Sequence, residues 1–332
     1  MNPVSSGVAD GTTSGRISDA DWADLLATRA TEPEAVSRAY ASRRRRDSLL
    51  SEQGTLFLVA ADHPARGALG VGDDPMAMAD RRSLLERLLV ALDNPAVDGV
   101  LGTPDVVEEL LLLGALHDKI VIGSMNRGGL AGASWEVDDR FTGHDAQSIV
   151  DNRLDGAKML LRLVDDDPGT IPTLIGCANA VNELAERGLM AMVEPLPYQR
   201  DGAGKLVLRR DPASLARAIT IASGLGRTSA HTWLKLPAPA EPDTVLAATT
   251  LPVVVLGGVP SADPGADLAS WGAALRNPVV RGLVVGRALL YPPDGDVAGA
   301  VESAARVLRA ARGTADDAGT DGKTNNSKEV LA

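Results

Sequence analysis

The sequence predicts an α/β protein: a single (β/α)8 barrel, the TIM barrel architecture, with an N-terminal helical extension. Three observations predict it. Short, almost wholly apolar runs alternate with amphipathic stretches eight times along the chain, as expected when helices cover a parallel sheet buried on both faces. The eight units occupy roughly 250 residues, the size of such a barrel. The first run ends in Asp62-His63-Pro64, where an open doubly wound sheet would need a glycine-rich phosphate-binding turn.

Residues 1–15 are polar and rich in Gly, Ser and Thr, and are expected to be disordered. Residues 16–54 form the helical extension: the pattern is helical over 17–51, with Ser18 as N-cap ahead of Asp19 and Asp21. The run Arg43-Arg44-Arg45-Arg46 reads as a solvated helical face or a contact to the acidic body, not as a nucleic-acid patch. The barrel spans residues 55–312. Its strands are expected at 55–61, 97–101, 119–124, 156–164, 189–195, 232–236, 252–256 and 282–285. Helices are expected at 81–92, 106–117, 145–154, 171–187, 212–223, 243–249, 266–275 and 297–309, and a polar excursion at 199–210. Residues 313–332 read as a disordered polar tail.

Composition narrows the function. The 332 residues are 45% hydrophobic and 23% charged, ordinary for a globular protein that needs no covalent staples. Cys177 is the sole cysteine, so no intrachain disulfide and no cysteine-based metal cluster can form. A formal net charge of −11 argues against nucleic acid or an anionic membrane as partner. No run reaches the length of a membrane span, and the N-terminus lacks the basic start and apolar stretch of a signal peptide. A cytoplasmic location, a small-molecule partner and compatibility with a homo-oligomer are the resulting expectations.

In such barrels the chemistry lies at the C-terminal ends of the strands. The sixth run, Thr232-Trp233-Leu234-Lys235-Leu236-Pro237, holds a lysine between leucines. Desolvation disfavours a buried ammonium, and a neutral lysine attacks carbonyl carbon to form a Schiff base. A lysine that snorkels at the strand end or pairs with a carboxylate would leave the same sequence. Around Lys235 the strand ends supply Asp62 and His63, Asn126 and Arg127, Lys158, Glu194, Gly257-Gly258 and Gly286-Arg287. Each alone is an ordinary turn former or cap, and alternation could aim Lys158 either into the barrel or out to a helix. Together they compose a mechanism. Lys158 would hold Lys235 neutral by its charge, and an iminium would act as electron sink for breaking the adjacent C–C bond. Glu194, or Asp62 across the barrel, would take the hydroxyl proton. The glycines at strands seven and eight would let backbone N–H groups approach a phosphate, with Arg287 adding a bidentate contact.

With these residues in view, the chain from about Thr55 to Leu308 resembles the class I, Schiff-base-forming aldolases. That superfamily includes tagatose-bisphosphate, archaeal-type fructose-bisphosphate and deoxyribose-phosphate aldolases. The pieces carrying the likeness are VAADHPARG, DGAKMLLRL, MVEPLPY, TWLKLPAP, VVVLGG and VVGRALL. The resemblance implies Lys235 as the Schiff-base lysine, Glu194, Lys158 and Asp62 as its catalytic neighbours, and Gly286 and Arg287 at the phosphate. His63 stands where the tagatose-type pattern has a glutamine, and residues 125–129 match no pattern of these enzymes. The arrangement is also similar to barrel proteins encoded in bacterial inositol-catabolism clusters. That similarity implies 5-dehydro-2-deoxy-6-phosphogluconate as substrate, cleaved to dihydroxyacetone phosphate and malonate semialdehyde. His63, Asn126, Arg127, Arg66, Gly257 and Gly258 are the expected substrate contacts, with Asn126, Arg127 and Arg66 at the acid end. Deoxyribose phosphate and fructose or tagatose bisphosphate are the alternative substrates.

Two other readings stay open. A metal-dependent lyase or isomerase would have to draw on His63, His144, Asp62 and Glu194, but the four histidines include no closely spaced pair. No metal and no cofactor are therefore expected. A barrel that binds a phosphosugar without turnover would share the same sequence features.

Overall fold

A computed structural model describes residues 15–258, 260–261 and 263–320. Nine strands are present among them: β1 (Leu56–Ala60), β2 (Gly99–Gly102), β3 (Ile120–Ser124), β4 (Gly156–Leu163), β5 (Met190–Arg200), β6 (Leu206–Leu208), β7 (Thr232–Pro237), β8 (Val253–Leu256) and β9 (Val280–Val285). The helices are α1 (Asp19–Thr31), α2 (Glu34–Ser42), α3 (Arg81–Asp93), α4 (Pro104–Leu112), α5 (Ala146–Asp151), α6 (Thr170–Glu186), α7 (Pro212–Ser223), α8 (Pro242–Leu246), α9 (Pro264–Leu275), α10 (Arg287–Leu290) and α11 (Val297–Thr320). Eight strands pair in parallel in the ring β1-β2-β3-β4-β5-β7-β8-β9, which closes on β1. This is the expected (β/α)8 barrel.

Alternation along each strand sorts side chains into two cores. Outward residues such as Phe57, Val59, Val121, Ala157 and Val193 pack against the helices. Inward residues Leu56, Leu58, Leu101, Ile120, Ile122, Met190, Met192, Val254 and Val284 fill the lower barrel, with Leu49, Leu50 and Trp233 beneath. Full burial of each such aliphatic side chain contributes about 1.5–3 kcal/mol. This apolar floor leaves only the upper end open to polar chemistry.

The structure departs from the sequence reading in three places. The helical pattern over 17–51 is broken twice. Pro33 lacks an N–H and disfavours helix in the residue before it, so α1 stops at Thr31 and α2 restarts at Glu34. The four arginines follow α2 in extended chain, not on a helical face, and strap it to the bottom of the barrel. Arg43 is buried and donates to the carbonyls of Lys119 and Arg153 and to Asp155. Arg44 pairs with Asp118, Arg45 with Asp155 and Arg46 with Asp98. Second, the fifth strand does not end at Pro195. It runs to Arg200 and turns back as β6, with Tyr198 opposite Leu208, so part of the polar excursion is a hairpin over the barrel mouth. Third, α11 continues past Gly313 to Thr320. The expected disorder at 1–14 and 321–332 lies outside the described residues.

Candidate active site

At the upper end of the barrel the inward positions change from apolar to charged. Two residues above Ala60, β1 delivers Asp62. Ser124 closes β3 and stands in register with Lys158 on β4. Glu194 on β5 is in register with Leu160, two residues above Lys158. Lys235 lies on β7 beside Val254 of β8. The period of two thus settles the orientation left open for Lys158: it points inward.

These side chains form one continuous network. Ser124 Oγ donates to Asp62 Oδ2 at 3.0 Å, and the same oxygen is 3.2 Å from both Lys158 Nζ and Arg127 Nη1. Lys158 also pairs with Glu194 Oε2, and Glu194 Oε1 accepts from Lys235 Nζ at 3.1 Å. Lys158 is 1% exposed and Lys235 3%, so both ammoniums are held out of bulk water.

Burial pushes the Glu194 carboxyl up, but the Lys158 and Lys235 ammoniums outweigh it and hold the group down at about 2. Burial likewise opposes ionisation of Asp62, and Arg127 and Lys158 overcome it, leaving Asp62 well below the usual carboxylate range. Lys158 is brought down to about 8 by burial and by Arg127, against the pull of Asp62 and Glu194. His63 is driven down to about 3 chiefly by burial, so its imidazole is neutral at physiological pH.

The network forms the floor of a pocket of about 190 Å³. Asp62, His63, Arg127, Lys158, Glu194, Lys235, Gly257, Gly258, Gly286 and Arg287 all line it, so the structure gathers all but one of the expected site residues. Asn126 is the exception. It is fully buried, its amide nitrogen donates to the Leu160 carbonyl, and its amide oxygen accepts from the Leu160 N–H. With both ends engaged, it clamps β3 to β4 and does not face the pocket. Its expected substrate contact is corrected on that ground.

The glycines at the mouth have physical reasons to be glycines. Gly258 has φ +69°, a left-handed conformation that L side chains rarely adopt. A Cβ at Gly286 would stand 2.5 Å from the Ala60 carbonyl oxygen and 2.9 Å from His63 Cε1. The backbone at the end of β9 therefore passes directly against the β1 turn, and Arg287 opens α10 from there.

Arg162, Tyr198 and Arg210 also line the pocket, and Ser124 joins the network; the sequence reading missed all four. A signal existed for two of them. Arg162 lies four residues after Lys158 and Tyr198 four after Glu194, hence on the same strand faces. His144 is buried against Gly123 of β3 and is not among the pocket residues.

A family model described as Cgl0159-like matches residues 54–305. The chain belongs to the Cgl0159-like family. The crystal structure of Cgl0159 from Corynebacterium glutamicum is 51% identical, covers 89% of this chain and 98% of that one, and superposes with a TM-score of 0.86. An archaeal fructose 1,6-bisphosphate aldolase shares the fold at 16% identity, covering 83% of this chain and 99% of that one, with a TM-score of 0.62. An archaeal fructose-1,6-bisphosphate aldolase with its catalytic lysine covalently bound to the carbinolamine intermediate matches at 16% identity. It covers 82% of this chain and 99% of that one, with a TM-score of 0.60. No curated protein matched the sequence. In this Cgl0159-like chain no described helix is long and apolar enough to cross a membrane.

Proposed function

We propose that this chain is a class I aldolase, a carbon–carbon lyase in which Lys235 forms a Schiff base with the ketone of a sugar phosphate. The observation that carries the reading is the single carboxylate, Glu194, shared by two buried lysines at the floor of a pocket whose rim is Gly257-Gly258 and Gly286-Arg287. Of the two amines, Lys235 has one acceptor, Glu194, while Lys158 is gripped between Asp62 and Glu194. Lys158, held on both sides, therefore serves to position Glu194 and Asp62, and Lys235, with its single contact, is the amine assigned as nucleophile.

The proposed steps follow from these contacts. Glu194, 3.1 Å from Lys235, is the group placed to take the proton that the amine must lose. The Lys235 lone pair adds to the ketone carbon, and the former carbonyl oxygen leaves as water to give the iminium. The iminium accepts the electron pair of the adjacent C–C bond while a base takes the hydroxyl proton of the leaving aldehyde. Protonation of the resulting enamine and hydrolysis free Lys235. Asp62, engaged by Ser124, Lys158 and Arg127, positions Lys158; the contact with Lys235 favours Glu194 as the acid–base group.

For the substrate we favour 5-dehydro-2-deoxy-6-phosphogluconate, cleaved to dihydroxyacetone phosphate and malonate semialdehyde. The support is the combination of a glycine-lined rim with several guanidinium groups in one pocket. Borohydride reduction in the presence of dihydroxyacetone phosphate tests the chemistry. The expected result is a mass adduct on the peptide bearing Lys235, absent from Lys235→Ala. No adduct, or one on Lys158, overturns the assignment.

A further inference from the structure

Exposed apolar side chains are not spread evenly over the barrel. Among the described residues nine large hydrophobic side chains are exposed, and six of them are Leu130, Trp135, Phe141, Val150, Ile171 and Ile175. All six belong to the loop after β3, to α5 and to α6. These pieces touch. Thr173 Oγ1 of α6 accepts from the Asp139 N–H at 3.0 Å, and a Cβ on Gly176 would stand 2.5 Å from the Phe141 ring. The loop is also held from inside, because Arg162 donates to the Gly129 carbonyl, to Glu136 and to Asp139. The exposed aromatic groups are therefore presented on a fixed surface, and little ordering is left for a partner to impose. Exposed apolar patches of this kind mark interaction faces.

Charge says what can approach this face. From Thr170 to Asn182 α6 carries no charged residue, although 23% of the chain is charged. Ile171 is 63% and Ile175 57% exposed, and Ala178 and Asn182 beyond them are half-buried. Steps of four, three and four residues put these side chains in one stripe along the helix. Two copies of a chain with net charge −11 repel each other, so they approach closely only where neither presents charge. The stripe is such a place. It is also complementary to itself when two α6 helices run antiparallel about a two-fold axis between positions 176 and 177. Ile175 then meets Ala178 of the second copy and Ile171 meets Asn182, a larger side chain against a smaller one each time.

The charges at the helix ends fit the same register. Asp165 pairs with Arg217 and Asp167 with Arg200. Asp166 between them is exposed and pairs with no cation among the described residues. Arg187, the C-cap of α6, is exposed, and its guanidinium donates to the Glu183 carbonyl and meets no carboxylate among the described residues. Antiparallel pairing brings Asp166 of one copy to the end that carries Arg187 of the other, twice over.

We propose that α6 and the β3–α5 loop form an isologous interface with a second copy of this chain, α6 packed antiparallel on α6 around a two-fold axis. Trp135 and Phe141, from the loop, widen the seam. The inference uses nothing of the aldolase reading, and its failure leaves that reading untouched.

Sedimentation equilibrium of the full chain at about 10 µM, well above the Kd of a stable dimer, reads the mass. The expected particle is two chains of 34.4 kDa, or a multiple of two. Ile171→Lys combined with Ile175→Lys puts ammoniums from both copies into the seam and should halve the particle, with far-ultraviolet circular dichroism unchanged. Asp166→Arg and Arg187→Asp, each alone, set like charges at both ends of the seam and should weaken association about tenfold. Combined, they restore opposite charges, and association should return to the native level. A native chain that sediments as a monomer or an odd-numbered particle overturns the proposal and leaves the face to a different partner. A lysine variant of native particle size overturns it too, as does a double charge reversal that associates no better than either single one. The charge reversals lie at the ends of the helix, so they decide the register even where the lysine pair fails to fold.

Discussion

Lys158 on β4 and Glu194 on β5 form a buried ion pair across adjacent strands, and the second oxygen of Glu194 holds Lys235 on β7. One carboxylate thus ties three neighbouring strands of the barrel together at the level where apolar packing gives way to charge.

Glu194→Gln keeps the shape and removes the charge. Two buried ammoniums then lose their common counter-ion, and breaking a buried pair from one side costs about 3–5 kcal/mol. Denaturant unfolding should show a loss of about that size. Retro-aldol turnover should fall about a hundredfold or more, the range of a lost acid–base group. Unchanged turnover would assign the proton transfers elsewhere.

Lys158 titrates near 8, below its ordinary value. Turnover should therefore decline on an alkaline limb centred near pH 8, as the cation that holds Asp62 and Glu194 discharges. Stability has the opposite sign. Between about 8 and the ordinary lysine value near 10.4, the unfolded chain retains a proton that the folded chain has released. The Lys158 contribution to stability therefore rises with pH across that window. Parallel pH profiles of kcat and of the denaturation midpoint would show the divergence.

Two histidines, His144 buried and His63 half-buried at the pocket, should make the fold sensitive to acid. Burial lowers His63 to about 3 and His144 to about 4. Both folded values lie below the unfolded one, near 6.5. Their stability contribution is complete above about pH 6.5 and is lost as pH falls toward 4, because the unfolded chain takes up protons that the folded chain refuses. The slope should approach about 1.4 kcal/mol per pH unit for each group. His144→Asn should flatten it measurably in unfolding experiments between pH 4 and 7.

The arginine strap should be sharply unequal along its length. Arg43→Ala removes a buried guanidinium that binds two carbonyls and Asp155 and should cost about 3 kcal/mol. Arg44→Ala removes an exposed pair with Asp118 and should leave the midpoint unchanged. Equal losses would mean that the strap acts by charge alone.

The barrel was legible because eight buried parallel strands must read as short apolar runs spaced by amphipathic helices. Lys158, Glu194 and Lys235 could be singled out because a charge inside such a run needs a reason. Asn126 was misjudged because a strand-end amide looks the same whether it faces substrate or clamps the next strand. Its engagement with Leu160 exists only once β3 and β4 are side by side. The β5–β6 hairpin was hidden for a similar reason: Leu206–Leu208 is a three-residue strand, too short to show a period.

What the sequence by itself determined was the eight strands of the barrel, the end of the barrel where chemistry gathers, and most of the residues found there, since burial and turn chemistry are local properties of the chain. Only the tertiary structure decided who meets whom: that Lys158 and Lys235 share Glu194, that Arg43 reaches Asp155, and that Asn126 clamps Leu160. Closing the barrel brings together residues 217 positions apart, as where Arg287 reaches the Gly70 carbonyl, and the Arg43–Asp155 contact spans 112. Partnerships at that distance depend on register and on which way each side chain points.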